Sequence, residues 1–152
     1  MKVTAFTPVA LGLAIAFGAI SGPPLAHAGA AMVQGIRRVE IDILPTRKEN
    51  EIKLSEKNKS IQVVLLGETN FVLFDENGAG QIEAGTVEMG GARPVALNGR
   101  KVDSNDDKQT DIEYRFQIGK LALTDTTTTL CLTGKLLDGQ QFRGCGDVVI
   151  KP

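Results

Sequence analysis

The sequence predicts an all-β fold, a small antiparallel β-sandwich with a cross-strand disulfide. Residues 112–118 alternate strictly between apolar and polar side chains, the period-2 pattern of a strand with one buried face. Glycine, asparagine and aspartate clusters recur between the apolar runs and mark turns. Beyond residue 35, no segment has a long apolar repeat at helical spacing. Two packed sheets are therefore the expected architecture.

The predicted strands follow one another along a single domain, residues 36–152, with no internal repeat or linker. In the first, Val39, Ile41 and Ile43 alternate with acidic side chains. The next, residues 61–66, is a nearly continuous apolar run, which is typical of a buried central strand. The later strands are expected at 112–118, 130–133 and 142–150, and turns at 78–80, 90–91, 98–99 and 138–139.

The first 28 residues have the features of an export signal. Lys2 gives a positive start, residues 9–20 form an apolar run, and Ala26-His27-Ala28 is a cleavage motif. A membrane anchor is the alternative, but the apolar run is short for a bilayer span. We therefore expect a signal peptide at 1–28, a flexible segment at 29–35, and an exported protein without a transmembrane segment after cleavage. The location is periplasmic or extracellular.

The composition narrows the function classes. Removing Lys2 from the 17 basic side chains leaves 16 against 18 acidic ones, a net charge of −2, so no nucleic acid partner is expected. His27 is the only histidine and leaves with the signal. The mature chain then cannot form a Ser-His-Asp or Cys-His catalytic group or a histidine-ligated zinc site. We predict that the protein is not an enzyme.

The two cysteines lie on the last predicted hairpin. Residues 130–137 are expected to form one strand and residues 140–150 the antiparallel strand that follows, and Asp138-Gly139 between them favours a tight turn. Cys131 and Cys145 are each seven residues from position 138, so they face each other across the hairpin. In an oxidising compartment they are expected to form a structural disulfide, with two buried free thiols as the alternative.

The segment 103–111 is the candidate metal site. Asp103, Asn105 and Asp107 offer side-chain oxygens at loop positions 1, 3 and 5, Gln109 offers its backbone carbonyl at position 7, and Asp111 occupies position 9. Calcium prefers six to eight such hard oxygen ligands. We predict a structural calcium site; the alternatives are a solvated polar turn and another cation.

The loop is not an EF-hand. Lys108 stands at position 6, where glycine makes the sharp turn, and Tyr114 stands at position 12, where the EF-hand has a bidentate glutamate. A strand rather than a helix follows it. A second acidic segment, residues 75–80, has Ala79 at its fifth position and is predicted to be a plain turn.

Several motifs occur together in one order. They are Ile41-Asp42-Ile43-Leu44-Pro45 with Asn50 following, residues 63–67 (VVLLG), residues 86–90 (TVEMG), the loop from Val102 to Ile112, Cys131-Leu132-Thr133-Gly134 with Asp138-Gly139 and Gly144-Cys145, and residues 148–152. They resemble a family of exported bacterial and archaeal β-sandwich modules. That family has an IDIKPGS start, a PVAILG strand, a TVxFG segment, a DVNGDG-type calcium loop and a CLTG…DG…GC hairpin. The resemblance covers residues 39–152 and departs from the pattern at Leu44, Gln62 and Lys108.

The resemblance implies export, a β-sandwich and a metal loop. We predict a calcium-stabilised structural or interaction module of the adhesion type, with an unknown protein or cell-surface partner. The alternative is a small-ligand or glycan binder, which needs a concave pocket with Tyr114 or a phenylalanine exposed and fails if Tyr114 and Phe116 are both core residues. An enzyme would need a cleft that gathers several of Asp103, Asp107, Asp111 and Glu113 around an open metal position.

Overall fold

A computed structural model describes residues 35–152, so the predicted signal peptide and all but the last residue of the predicted flexible segment 29–35 lie outside the described residues. Within residues 35–152 the chain forms strands β1 Arg37–Arg38, β2 Ile41–Ile43, β3 Glu51–Lys53, β4 Ser60–Leu65, β5 Glu88–Met89, β6 Arg100–Val102, β7 Asp111–Gln117, β8 Thr129–Lys135, β9 Gln141–Asp147 and β10 Val149–Lys151. Two short 3-10 helices, Ala84–Thr86 and Ile118–Lys120, complete the described elements. In this part of the chain, no helix is long and apolar enough to cross a membrane.

The strands form two four-stranded sheets and one two-stranded ribbon. The first sheet has the order β1-β9-β8-β5, the second has the order β2-β4-β7-β6, and β10 pairs with β3. The predicted all-β class is confirmed. Most pairings are antiparallel, but β1 runs parallel to β9 and β3 runs parallel to β10. The parallel pairs join strands that are far apart in the sequence.

The pairing of β4 with β7 forms the middle of the second sheet. Its register sets Val63 opposite Tyr114 and Leu65 opposite Ile112, with all four side chains in the core. The nearly continuous apolar run at 61–66 and the alternation of β7 thus both reflect strands whose apolar side chains enter this core. Burying a large apolar side chain stabilises a fold by about 1.5–3 kcal/mol, so this pair supplies much of the core energy.

The last hairpin has the predicted register. Cys131 lies opposite Cys145 and the two form the disulfide. The turn at Asp138-Gly139 uses a positive φ of 89° at Gly139, which glycine adopts without strain. Leu130 and Leu132 face the core. Cys131 lies between them, so it and its partner Cys145 lie on the outer face of the sheet. The disulfide therefore stabilises by restricting the unfolded chain, by about 3 kcal/mol for a loop of this size, rather than by core packing.

The predicted strand 142–150 is two strands in the structure. β9 ends at Asp147, and β10 begins at Val149 in a different sheet. Val148 is buried between them, and its N–H donates to the Thr128 carbonyl at 2.8 Å. The chain changes sheets here because β10 pairs with β3, whose Ile52 is buried.

Candidate functional site

The segment 103–110 is the loop of a β-hairpin between β6 and β7. Val102, the last residue of β6, pairs with Asp111, the first residue of β7. The loop therefore begins and ends at one point on the second sheet. β6 is the terminal strand of that sheet, so the loop lies beside a sheet edge.

Asp111 anchors the root of this loop. Its carboxylate is fully buried, and Oδ1 accepts the Gly67 N–H while Oδ2 accepts the Ser104 N–H, each at 2.8 Å. A side chain at Gly67 would place its Cβ 2.5 Å from the Thr110 carbonyl oxygen, so the close approach requires glycine. The sequence suggested Asp111 only as a metal ligand, and it indicated Gly67 only as part of the 63–67 motif, not as a partner of Asp111. Each oxygen of Asp111 retains a second lone pair.

Asn105 and Asp107 are brought together at the exposed tip of the loop. The Asn105 Nδ2 donates to Asp107 Oδ2 at 2.9 Å, and Asp107 Oδ1 accepts the Gln109 N–H at 2.7 Å. The Asp107 N–H in turn donates to Asn105 Oδ1 at 3.3 Å. The two bonds from backbone N–H groups are the local interactions by which Asn and Asp side chains favour turns.

The backbone of the loop is left-handed at two residues that are not glycine. Asp106 has φ 59° and Lys108 has φ 68°. The resembling motif DVNGDG has glycine at both of these positions. The left-handed conformation costs a residue with a Cβ roughly 1–2 kcal/mol, with Asp tolerating it better than Lys. The loop backbone thus adopts left-handed conformations that favour glycine, although Asp106 and Lys108 both carry a Cβ.

The fit of this loop to calcium is partial. Its donors are all oxygens, which is the chemistry that calcium prefers. However, residues 35–152 contain no group of three or more His, Cys, Asp or Glu side chains arranged to hold a metal ion. Asp103, Asp107 and Asp111 are therefore not gathered around one point, and the calcium site stays a prediction.

Glu113 binds two arginines on the outer face of the second sheet. Its Oε2 is 2.6 Å from Arg100 Nη2 and its Oε1 is 3.2 Å from Arg115 Nε. Only 8% of the Glu113 side chain is exposed, whereas both arginines are mostly exposed. Burial raises the pKa of Glu113, but the hydrogen bonds from Arg100 and Arg115 outweigh it and lower the pKa below the ordinary value of 4.5. The alternation of β7 places Glu113 and Arg115 on the same face, so the sequence could have revealed this ion pair, but not the one with Arg100.

The aromatic rings of β7 lie in the core. Tyr114 is 1% exposed and Phe116 is fully buried. The structure therefore meets the condition under which the small-ligand or glycan alternative fails at these two rings, because neither ring has an exposed face on which a ligand could stack. Phe74, which is half-buried, lies outside β7.

Comparison with known proteins gives a distant likeness. No family model matches the chain, so its resemblance to the exported modules stays a prediction, and no curated protein matches it. Among solved structures, a bacterial immunoglobulin-like domain from the M. primoryensis ice-binding adhesin is similar, with 12% identity and a TM-score of 0.39. The match covers 76% of this chain and 99% of that chain. We base no functional assignment on a likeness of this size.

Replacing Asp111 by Asn is expected to lower the free energy of unfolding by about 1–3 kcal/mol, because an amide NH2 would then face one of the two backbone N–H donors. Urea unfolding in EDTA measures this without any contribution from metal. Asp107→Asn, at the exposed tip, is the matched control and is expected to change stability by less than about 0.5 kcal/mol. Equal stabilities of the two variants would contradict the anchoring role.

Replacing Glu113 by Gln is expected to remove a pH-dependent part of the stability. Because the folded-state pKa of Glu113 is lowered, its charge stabilises the fold above pH 4.5, and that stabilisation is lost as the pH falls through the folded pKa. The stability difference between wild type and variant should be constant near neutral pH and shrink below pH 4.5. Glu49→Gln serves as the control. A difference that does not vary with pH would refute the ion-pair assignment.

Proposed function

We propose that the chain is an exported structural or interaction module of the adhesion type, stabilised by calcium and without catalytic activity. The observation that carries the proposal is the edge of the second sheet beside the 103–111 loop, which is open among residues 35–152. β6 is the terminal strand there, and its last residue, Val102, leads directly into the loop. An edge strand presents N–H and C=O groups that can pair with a strand of another protein.

Exposed apolar side chains lie next to this edge. Val95 and Leu97 precede β6 and are 70% and 45% exposed. The Val95 N–H donates to the Arg115 carbonyl at 2.8 Å, which places Val95 along the same side of β7 as β6. Single exposed apolar residues are common, but a pair beside an open edge supports a contact surface for a partner.

The arrangement of the carboxylates in the second sheet favours an architectural role. Asp111 accepts two backbone N–H groups, and Glu113 accepts two guanidinium groups. Two of the four carboxylates that the catalytic alternative named, Asp111 and Glu113, are therefore engaged in holding the fold. The surface disulfide fits export to an oxidising compartment, whether periplasmic or extracellular.

Calcium has a defined role in this proposal. The ion would bind the oxygens of Asp103, Asn105, Asp107, Gln109 and Asp111 after the loop tip closes towards its anchored root. Binding only the folded state would stabilise the protein and couple the order of the loop to metal. The left-handed backbone at Asp106 and Lys108 supports the proposal, since the loop already follows the path of a glycine-containing motif.

The interaction role predicts attachment through the Val95–Leu97 surface. Beads coated with the mature, disulfide-bonded protein should bind cells of the source organism, and the Val95→Lys, Leu97→Lys double variant should bind severalfold fewer. The added ammonium groups would have to be desolvated in the contact. Leu137→Lys, at the hairpin tip, is the matched control because Leu137 is also exposed. Attachment no greater than that of albumin-coated beads, or unchanged in the double variant, would count against the proposal.

The calcium role predicts a metal-dependent melting temperature. Calcium at about 100 times its dissociation constant should stabilise the folded protein by about 2.7 kcal/mol, a rise of several degrees over the value in EDTA. The Asp103→Ala, Asp107→Ala double variant should lose the rise, Asp138→Ala should keep it, and Lys108→Gly should reach it at lower calcium. A melting temperature that does not change in millimolar calcium would contradict the calcium role without affecting the interaction role.

A further inference from the structure

A cavity of about 340 Å³ opens between the turn-rich segment 74–84 and the edge of the second sheet. It is lined by Phe74, Gly78, Gly80, Ile82, Lys101 and Tyr114, among others. Its volume lies at the lower end of the range for small-molecule sites. The predicted plain turn at 75–80 thus forms one wall of a concave site.

Tyr114 contributes a hydroxyl that has no hydrogen-bond partner among residues 35–152. Its side chain is 99% buried and borders the cavity. Among the described residues no side-chain hydrogen bond involves this hydroxyl, and it is not sealed in the core. The hydroxyl can therefore be reached from the cavity, where water or a ligand can accept its hydrogen bond. Burial raises the pKa of Tyr114, which keeps the group a neutral donor.

Lys101 provides the charge of the cavity. Its Nζ lies 4.0 Å from the centroid of the Phe74 ring and donates to the Gly78 carbonyl at 2.8 Å. An ammonium has three donors, so two remain for other acceptors. Among the described residues that line the cavity there is no Asp or Glu, so its lining has a single positive charge.

The remaining walls are apolar or made of glycine. Ile82, Ile112 and the Phe74 ring offer hydrocarbon surface. Gly99 has φ 62°, and a Cβ there would lie 2.9 Å from the Tyr114 ring, so this wall is backbone only. Such walls admit an apolar body close to the main chain.

We propose that this cavity binds a small organic carboxylate with an apolar body. The Lys101 ammonium and the Tyr114 hydroxyl donate to the ligand's oxygens, and the apolar walls contact its hydrocarbon part. The site uses the inner face of the sheet. It therefore requires neither the open edge nor the calcium loop of the proposed function.

The test is a titration of the ¹⁵N-labelled mature, disulfide-bonded protein with benzoate in EDTA, followed by amide chemical shifts. Benzoate should give saturable shifts at Gly78, Gly80 and Gly99 with a dissociation constant of about 1 mM, as expected for so small a ligand. Benzamide, its neutral counterpart, should bind at least about fivefold more weakly because it lacks the charge that pairs with Lys101.

Three variants separate the contributions of Lys101 and Tyr114 to benzoate binding. Lys101→Met and Tyr114→Phe should each weaken benzoate binding about fivefold, and Lys135→Met, on the other sheet, should not. Tyr114→Phe should melt no lower than wild type, because its hydroxyl has no partner to lose. The proposal is overturned by the absence of saturable shifts at the three glycines, by equal binding of benzamide, or by unchanged affinity in Lys101→Met and Tyr114→Phe. A lower melting temperature of Tyr114→Phe would also overturn it, since it would reveal a protein partner.

Discussion

The antiparallel pairing of β4 with β7 is the constraint on which the rest of the structure depends. It runs through six residue pairs, from Ser60 opposite Gln117 to Leu65 opposite Ile112. Because side chains alternate with a period of two, this register sends Tyr114 to the core and Glu113 to the outer face. A slip by one residue would bury Glu113 against the first sheet and expose the aromatic rings. Apolar burial and the two ion pairs therefore favour the same register.

That register also determines the geometry of the loop. Because Leu65 pairs with Ile112, the next residue of β7 towards the loop, Asp111, lies at the end of the ladder beside Gly67. A buried carboxylate is costly unless hydrogen bonds satisfy it, and here two backbone N–H groups do so. The result is a hairpin loop with a fixed root and a polar, solvent-facing tip. A metal ion or a partner could order that tip without disturbing the core.

The sequence predicted what local patterns can encode. The alternation of β7 and the Asp138-Gly139 turn, with its cross-strand pair Cys131–Cys145, depend on residues close in sequence, and the structure contains both. The parallel pairing of β3 with β10 was not predicted, because it joins segments almost a hundred residues apart. The role of Asp111 as a backbone anchor was not predicted for the same reason, because one of its two N–H donors is Gly67, 44 residues away. A sequence pattern can identify a carboxylate that offers oxygen atoms, but it does not distinguish an acceptor of backbone N–H groups from a metal ligand.

The two proposed sites use different groups of the short edge strand β6. Arg100 lies on the outer face, bound to Glu113, while Lys101 lies on the inner face over the Phe74 ring. Charged side chains on an edge strand oppose unselective pairing with other chains. In the proposed function, contacts with the exposed Val95 and Leu97 would therefore make backbone pairing at this edge selective. Since strand addition uses main-chain groups, a partner could occupy this edge while Lys101 keeps its place at the cavity.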